Sequence, residues 1–191
     1  TLKGRLTGSG ENFLIVECGG IGFKIFITNR DAKNAGAIGA EVNFFCYLYL
    51  REDKIELYGF LEEGALKLFE MLNTVAGVGP KTALGILDVD SLPNIMAAII
   101  EKRAELLTKT SGIGRKTAER IILELQTRIK LPGAKALTEK MDINTEVAEA
   151  LVSLGYRRGE VKSAIESLGN EEKNLEGRLR SALKILGRRR S

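Results

Sequence analysis

The chain has 191 residues, 44% apolar and 28% charged, the balance of a soluble globular protein. Lys and Arg exceed Asp and Glu by 29 to 25, and a net charge of +4 is compatible with a nucleic-acid partner without requiring one. There is no histidine, which excludes a Ser-His-Asp triad and a His-based zinc site, and no apolar run reaches the ~20 residues needed to span a bilayer.

The N-terminal stretch TLKGRLTG lacks the apolar core of a signal peptide, so a cytoplasmic protein without a membrane association is expected. Residues 1–63 read as a β domain. LKGRLT, FLIVEC, IGFKIFI, EVNFFCYLYL and KIELYGF are five β-rich runs, parted by Gly8-Ser9-Gly10, by Gly19-Gly20 and by the turn-rich stretch Asn29–Gly39. Val42, Phe44, Cys46, Leu48 and Leu50 alternate with Asn43, Phe45, Tyr47 and Tyr49, so this strand is rather apolar on both faces. Such a strand suits a small closed sheet, and five strands in this length suggest an OB-fold-like barrel. Cys18 and Cys46 fall inside these runs and are expected to be buried, reduced thiols. Arg51-Glu52-Asp53-Lys54 forms the tip between the last two strands. Taken alone it is an ordinary solvated hairpin turn.

From Gly64 the apolar period becomes helical, with Leu66, Phe69, Leu72 and Val75 recurring every three residues. Further helices are predicted over Leu92–Arg103, near Ala104–Thr110 and over Lys116–Ile129, where Pro132-Gly133 ends the run. Residues 133–143 are polar and mixed in charge and read as a flexible linker. Beyond it, helices are predicted over Glu146–Leu154, capped by Asn144 or Thr145, over Glu160–Leu168 and over Leu175–Leu186. They make a three-helix bundle near the lower size limit for independent folding. The tail GRRRS is either a solvated end or a phosphate contact. Residues 1–63 carry 7 basic against 9 acidic side chains, whereas 64–143 carry 12 against 9 and 144–191 carry 10 against 7. The positive charge therefore lies outside the barrel.

Two stretches of the helical region are copies of one another. LNTVAGVGPKTALGIL (Leu72–Leu87) aligns with LTKTSGIGRKTAERII (Leu107–Ile122) at a constant offset of 35, with seven of sixteen positions identical. A P-loop does not fit, because Pro80 or Arg115 separates the glycine from the lysine and a helix, not a strand, precedes each copy. Helix, Gly-x-Gly turn and helix make an αα-hairpin instead. The glycines admit positive φ and close approach of another backbone. Gly79 can serve as N-cap with Pro80 at the favoured first helical position, and the freed amides and the helix dipole then face one anion. Val78 and Ile113 would anchor the turns, while Lys81, Lys116, Arg115 and Arg120 add cations. Two glycine-capped corners with no ligand are the bland alternative. The shared Gly-x-Gly-x-Lys-Thr-Ala favours phosphate binding, with two turns gripping backbones of two strands without reading bases.

These two copies resemble helix-hairpin-helix motifs. Five strands, two such motifs and a detached three-helix bundle, in this order, resemble the RuvA family of Holliday-junction-binding proteins over essentially the whole chain. REDKIELYGF and SLGYRRGEV are further points of resemblance. The resemblance implies an α+β multidomain protein: an OB-fold-like barrel (1–63), a tandem helix-hairpin-helix domain (64–132), a linker (133–143) and a three-helix bundle contacting a motor (144–191). It assigns DNA binding to Gly77, Val78, Gly79, Lys81, Thr82, Gly112, Ile113, Gly114, Arg115, Lys116, Thr117 and Arg120, and an acidic pin to Glu52 and Asp53. It implies a homotetramer or octamer on four-way junction DNA, a RuvB-type hexameric ATPase and a RuvC-type resolvase as partners, and no catalytic residue, cofactor or metal. The pin would act by repulsion, its carboxylates disfavouring phosphates where pairs open and re-form. The chain has Arg115 where the family commonly has Lys, and the two cations differ in hydrogen-bond geometry. Arg158-Gly159 replaces a proline-containing helix start, which predicts a loosely held second helix in the bundle.

Two other classes of function stay open on the residues alone. A helix-hairpin-helix repair enzyme, nuclease or glycosylase, would need acids such as Asp88 and Asp90 beside its hairpin. A single-strand binder would stack bases on Phe44, Phe45, Tyr47 and Tyr49.

Overall fold

A computed structural model of the chain describes residues 1–169 and 174–188. The last three residues of the basic tail lie outside the described residues.

The first five runs form strands β1 (Leu2–Ser9), β2 (Phe13–Cys18), β3 (Ile21–Phe26), β4 (Glu41–Leu50) and β5 (Ile55–Phe60). They close into a barrel in the order β1-β2-β3-β5-β4, antiparallel except where β3 meets β5 in parallel. Strand β4 is long enough to serve both edges. Its first half pairs β1 (Leu2↔Phe44 to Arg5↔Glu41) and its second half pairs β5 (Phe45↔Phe60 to Leu50↔Ile55). Alternate residues fill the interior, with Leu6, Leu14, Val16, Ile25, Ile27, Val42 and Phe44 buried together. Gly4 and Gly59 sit where closure leaves no room: a Cβ on Gly4 would fall on the Glu17 carbonyl oxygen, and one on Gly59 would lie 2.5 Å from Ile25 Cγ2.

Two sequence expectations change here. The stretch after β3 holds a short helix, α1 (Asn29–Asn34), begun by Thr28, whose Oγ1 accepts from the Asp31 amide at 3.0 Å. Cys18 is exposed, not buried, and Cys46 is half-buried. Cys18 is the last residue of β2, beside the open Gly19-Gly20 turn, where alternation no longer points into a core.

Helix α2 (Glu63–Asn73) leans on the barrel through Phe69, whose ring lies 5.3 Å from Tyr47, 5.2 Å from Tyr58 and 5.0 Å from Phe60. Barrel and hairpins accordingly share one compact unit, Thr1–Pro132. It continues through α3 (Pro80–Val89), α4 (Leu92–Ile100), α5 (Ala104–Leu107) and α6 (Arg115–Leu125). Helix α4 stops at Ile100, short of the expected Arg103, because the chain reverses at Lys102 with φ 59°.

The second unit, residues 133–191, holds α7 (Ala134–Ser153), α8 (Arg158–Glu166) and α9 (Leu175–Arg188). The segment expected to be a linker is the first half of α7. Ala134, Lys135, Ala136, Leu137, Glu139, Lys140 and Met141 are good helix formers, and nothing after Gly133 breaks the run. Val147, Leu151, Val161, Ala164, Ala182 and Leu186 form its core. The start of α8 is held where looseness was expected: Glu160 Oε2 accepts from the Arg157 amide at 3.0 Å. Arg178, only 1% exposed, crosses the bundle, donating from Nε to Asn144 Oδ1 at 2.7 Å and from Nη1 to the Gly169 carbonyl at 3.1 Å.

Candidate nucleic-acid interface

The two sequence copies fold as two hairpins, α2–turn–α3 and α5–turn–α6. Gly77 and Gly112 open the turns at φ 89° and 83°, in the left-handed region that favours glycine. Val78 and Ile113, each 5% exposed, plug the turns into the core, and their amides donate to Val75 O at 3.0 Å and Thr110 O at 3.1 Å. Neither residue offers a side chain to a ligand; both are anchors.

Gly79 and Gly114 are the N-caps of α3 and α6, with no side-chain cap at either helix. Their φ angles, −97° and −84°, suit any residue, and a Cβ on either would meet nothing within 4 Å. Neither backbone strain nor internal packing requires glycine there. Its effect is to leave the first-turn amides of α3 and α6 bare at the positive end of each helix dipole. Lys81, Arg115, Lys116 and Arg120 are exposed around them, and Thr82 and Thr117 are half-buried. Arg115 Nε is bound to Glu119 Oε1 at 2.9 Å, an exposed pair of small energetic weight.

An arginine of α6 and one in the turn beyond it tie the hairpins together. Arg120 Nη1 donates to the Ala76 carbonyl in the first turn at 3.0 Å, and Arg128 Nη1 to Thr74 Oγ1 at 3.2 Å. The tie runs one way. Gly85 occupies the position in the first copy that Arg120 holds in the second, and a Cβ there would already stand 3.1 Å from Thr110 Cγ2. Arg128 escaped the sequence reading; it lies in the turn after α6, which stops at Leu125, short of the expected Ile129.

The copies also differ beneath the turns. Thr110 is 7% exposed, and its Oγ1 is buried without a hydrogen-bond partner, where the first copy has Val75. Thr110→Val is expected to raise stability by about 1 kcal/mol by removing an unsatisfied hydroxyl at constant shape. A thermal melt at or below that of the parent would contradict this.

Beyond the barrel, β4 and β5 run on as a hairpin. Arg51 N donates to Lys54 O at 2.9 Å and Lys54 N to Arg51 O at 3.4 Å, leaving Glu52 and Asp53 as the exposed tip. One face of the stalk is apolar and uncovered in this chain: Leu48 is 55%, Leu50 60% and Ile55 73% exposed. The other face is polar, with Tyr49 opposite Glu56 and Tyr47 opposite Tyr58. Glu56 accepts from Tyr58 Oη at 2.9 Å and from Lys54 Nζ at 3.3 Å. Burial pushes the Glu56 carboxyl up, but the Tyr58 hydroxyl, Lys54 and the charge of Lys81 on α3 outweigh it and hold the group below the usual carboxylate range. Burial and the bond to Glu56 push the Tyr58 phenol up. The β4–β5 stalk and Lys81 of α3 thus lie within electrostatic reach of one another.

Asp88 and Asp90 have structural partners. Asp88 accepts from Asn29 Nδ2 at 2.6 Å, joining α3 to α1, and Asp90 Oδ1 accepts from Ser91 N at 2.7 Å and Asn94 Nδ2 at 2.8 Å at the start of α4. Among the described residues no group of three His, Cys, Asp or Glu side chains could hold a metal ion. Phe44 is fully buried and Tyr47 packs on Phe69, so two of the four barrel aromatics belong to the core.

The chain matches the family models of the RuvA N terminal domain over residues 1–59, a SAM-like helix-hairpin-helix tandem over 69–127 and the RuvA C-terminal domain over 142–187. It is 40% identical over 197 residues to the Holliday junction branch migration complex subunit RuvA of Acetivibrio thermocellus, covering 98% of both chains. The proteins of that name from Chloroflexus aggregans and Dehalococcoides mccartyi are 40% and 38% identical, over 98% and 96% of this chain and 97% and 95% of theirs.

Proposed function

This chain belongs to the RuvA family, and on that footing we propose that it is the Holliday-junction-binding subunit of a branch migration complex. The observation that carries the reading is the pair of glycine-capped helix starts, bare of side chains and tied together by Arg120. Two such starts side by side suit two phosphates, which position DNA without reading its sequence. Gly77, Gly79, Gly112 and Gly114 shape the turns, the amides of residues 81–82 and 115–116 meet the phosphates, and Lys81, Lys116 and Arg120 add charge. Thr82 and Thr117 line the first helical turns, and Val78 and Ile113 act from beneath as anchors.

Glu52 and Asp53 serve as the acidic pin at the crossover. A junction has four arms, so four copies with four pins are the natural assembly, single or paired face to face. The protein itself performs no bond chemistry. A RuvB-type hexameric ATPase supplies the work through contacts with residues 144–191, a RuvC-type resolvase acts on the same DNA, and the setting is the cytoplasm. The repair-enzyme alternative gains nothing from Asp88 and Asp90, which the fold already employs.

The test is gel shift and mass determination on a synthetic four-way junction at several salt concentrations. Lys81→Ala and Lys116→Ala are each expected to weaken binding and to flatten the slope of log K against log salt by about one unit. An unchanged slope in both variants would remove these lysines from the phosphate contacts, and cleavage of the DNA would favour the enzyme reading.

A further inference from the structure

The pin carries a contradiction in its sequence. Arg51-Glu52-Asp53-Lys54 is formally neutral, and a neutral tip has little reason to repel phosphate. Arg and Lys directly beside Glu and Asp would ordinarily fold onto them, since unlike charges ~4 Å apart attract by about 1 kcal/mol even in water.

The structure separates the signs. Arg51 is turned back along the stalk, with Nε donating to Tyr49 Oη at 2.6 Å and its guanidinium 5.2 Å from the centre of the Tyr49 ring. Lys54 is turned back on the same face, with Nζ 3.3 Å from Glu56 Oε1 and 5.7 Å from the Tyr49 ring. Glu56 can hold it because Glu56 is itself fixed. Its other oxygen accepts from Tyr58, a fully buried residue whose ring packs 5.5 Å from Phe26 and 5.2 Å from Phe69. The β4–β5 register places Tyr49 opposite Glu56 and so builds both anchors on one face. The side chain of Glu56 is 13% exposed, too enclosed to act as another repelling charge at the tip.

We infer that Glu56 is a positioning residue for the pin: anchored to the barrel core through Tyr58, it holds Lys54 back along the stalk, so that Glu52 and Asp53 face the DNA without Lys54 folded onto them. The inference rests on the pin reading given above and deepens it. It makes the discrimination between a junction and continuous duplex depend on a carboxylate outside the tip. Lys54 and Arg51 are drawn down the polar face, beneath an anionic end.

The experiment compares dissociation constants for a four-way junction and for linear duplex of the same arm sequence, using the full chain and three variants. Glu52→Gln with Asp53→Asn removes the tip charge directly. Glu56→Gln keeps an acceptor for Tyr58 but loosens its hold on Lys54, which is then free to neutralise the tip. Glu56→Gln with Lys54→Gln removes the freed cation. Duplex affinity is expected to rise about fivefold for each tip charge neutralised. The preference for junction over duplex should therefore narrow in the first two proteins and return toward the parent in the third. A structural lesion at Glu56 would persist in the third protein, so recovery there is the discriminating result. A parent-like preference in Glu56→Gln, beside a narrowed one in the tip variant, overturns the inference and leaves the pin standing. Failure of Lys54→Gln to restore the preference overturns it as well. A tip variant that matches the parent overturns the pin reading and this inference together.

Discussion

Replacing Gly79 and Gly114 together by Asp is expected to cut junction affinity about 100-fold or more, at about 1 to 4 kcal/mol for each carboxylate set against a phosphate, while the thermal midpoint stays at or slightly above that of the parent. The two halves of this expectation have separate causes. Both glycines are N-caps with φ angles open to any residue and empty space where a side chain would go. Asp is among the best N-cap residues, improves on Gly by a few tenths of a kcal/mol, and complements the helix dipole. The fold thus has no objection to it. The ligand does, because the new carboxylate occupies the place where the bare amides of α3 and α6 would hold a phosphate. A variant that is stable and still binds the junction like the parent would show that these turns never meet the backbone. Gel shift with a parallel melt reads both halves. The single variants should each lose roughly the square root of the double effect, since the proposed contacts are with separate phosphates.

Gly4→Ala is expected to destabilise the first unit by about 3 kcal/mol and to lower its melting midpoint by roughly 10 °C. The new methyl would fall on the Glu17 carbonyl oxygen and also stand 2.9 Å from Val16 Cγ1. Glu17 pairs with Arg5 in the β1–β2 ladder, so the obstacle is backbone that cannot yield without opening the seam. Gly10→Ala is the control. Its methyl would first meet the half-buried ring of Phe13, a side chain that can swing aside, so a much smaller loss is expected. Thermal unfolding followed by circular dichroism separates the two. Equal losses would mean that the barrel seam tolerates a side chain at Gly4.

Much of the architecture was legible because the decisive residues are needed for reasons that sequence alone exposes. The five strands stand out by alternation and by the turns between them. The hairpins stand out because several identities kept between copies are those the geometry demands: glycine at the positive-φ positions Gly77 and Gly112, and alanine at Ala83 and Ala118, which are wholly buried. Helix α7 was missed over residues 134–143 because polarity and mixed charge resemble a linker, although helix propensity runs the other way. Helix α1 was missed because turn-forming Asn and Asp residues dominate it, and its Thr28 cap reads equally well as a loop residue. Arg178 could not be found, since an arginine between Glu176 and Arg180 looks like a solvated face until Asn144 and the Gly169 carbonyl close around it. The division of charge on the pin was equally hidden. Sequence order makes Lys54 a neighbour of Asp53, whereas the two-residue alternation leading into β5 puts it on one face with Glu56.

The one-way tie between the hairpins gives the ancient-looking repeat unequal halves. A lesion in α6 that displaces Arg120 disturbs both turns, its own by shifting the helix start and the other by releasing Ala76. Gly85, at the matching position of α3, has no side chain to reach across, although it packs close to Thr110 of the second copy. The two matching turns are thus held unequally, the second steadying the first through Arg120 and Arg128.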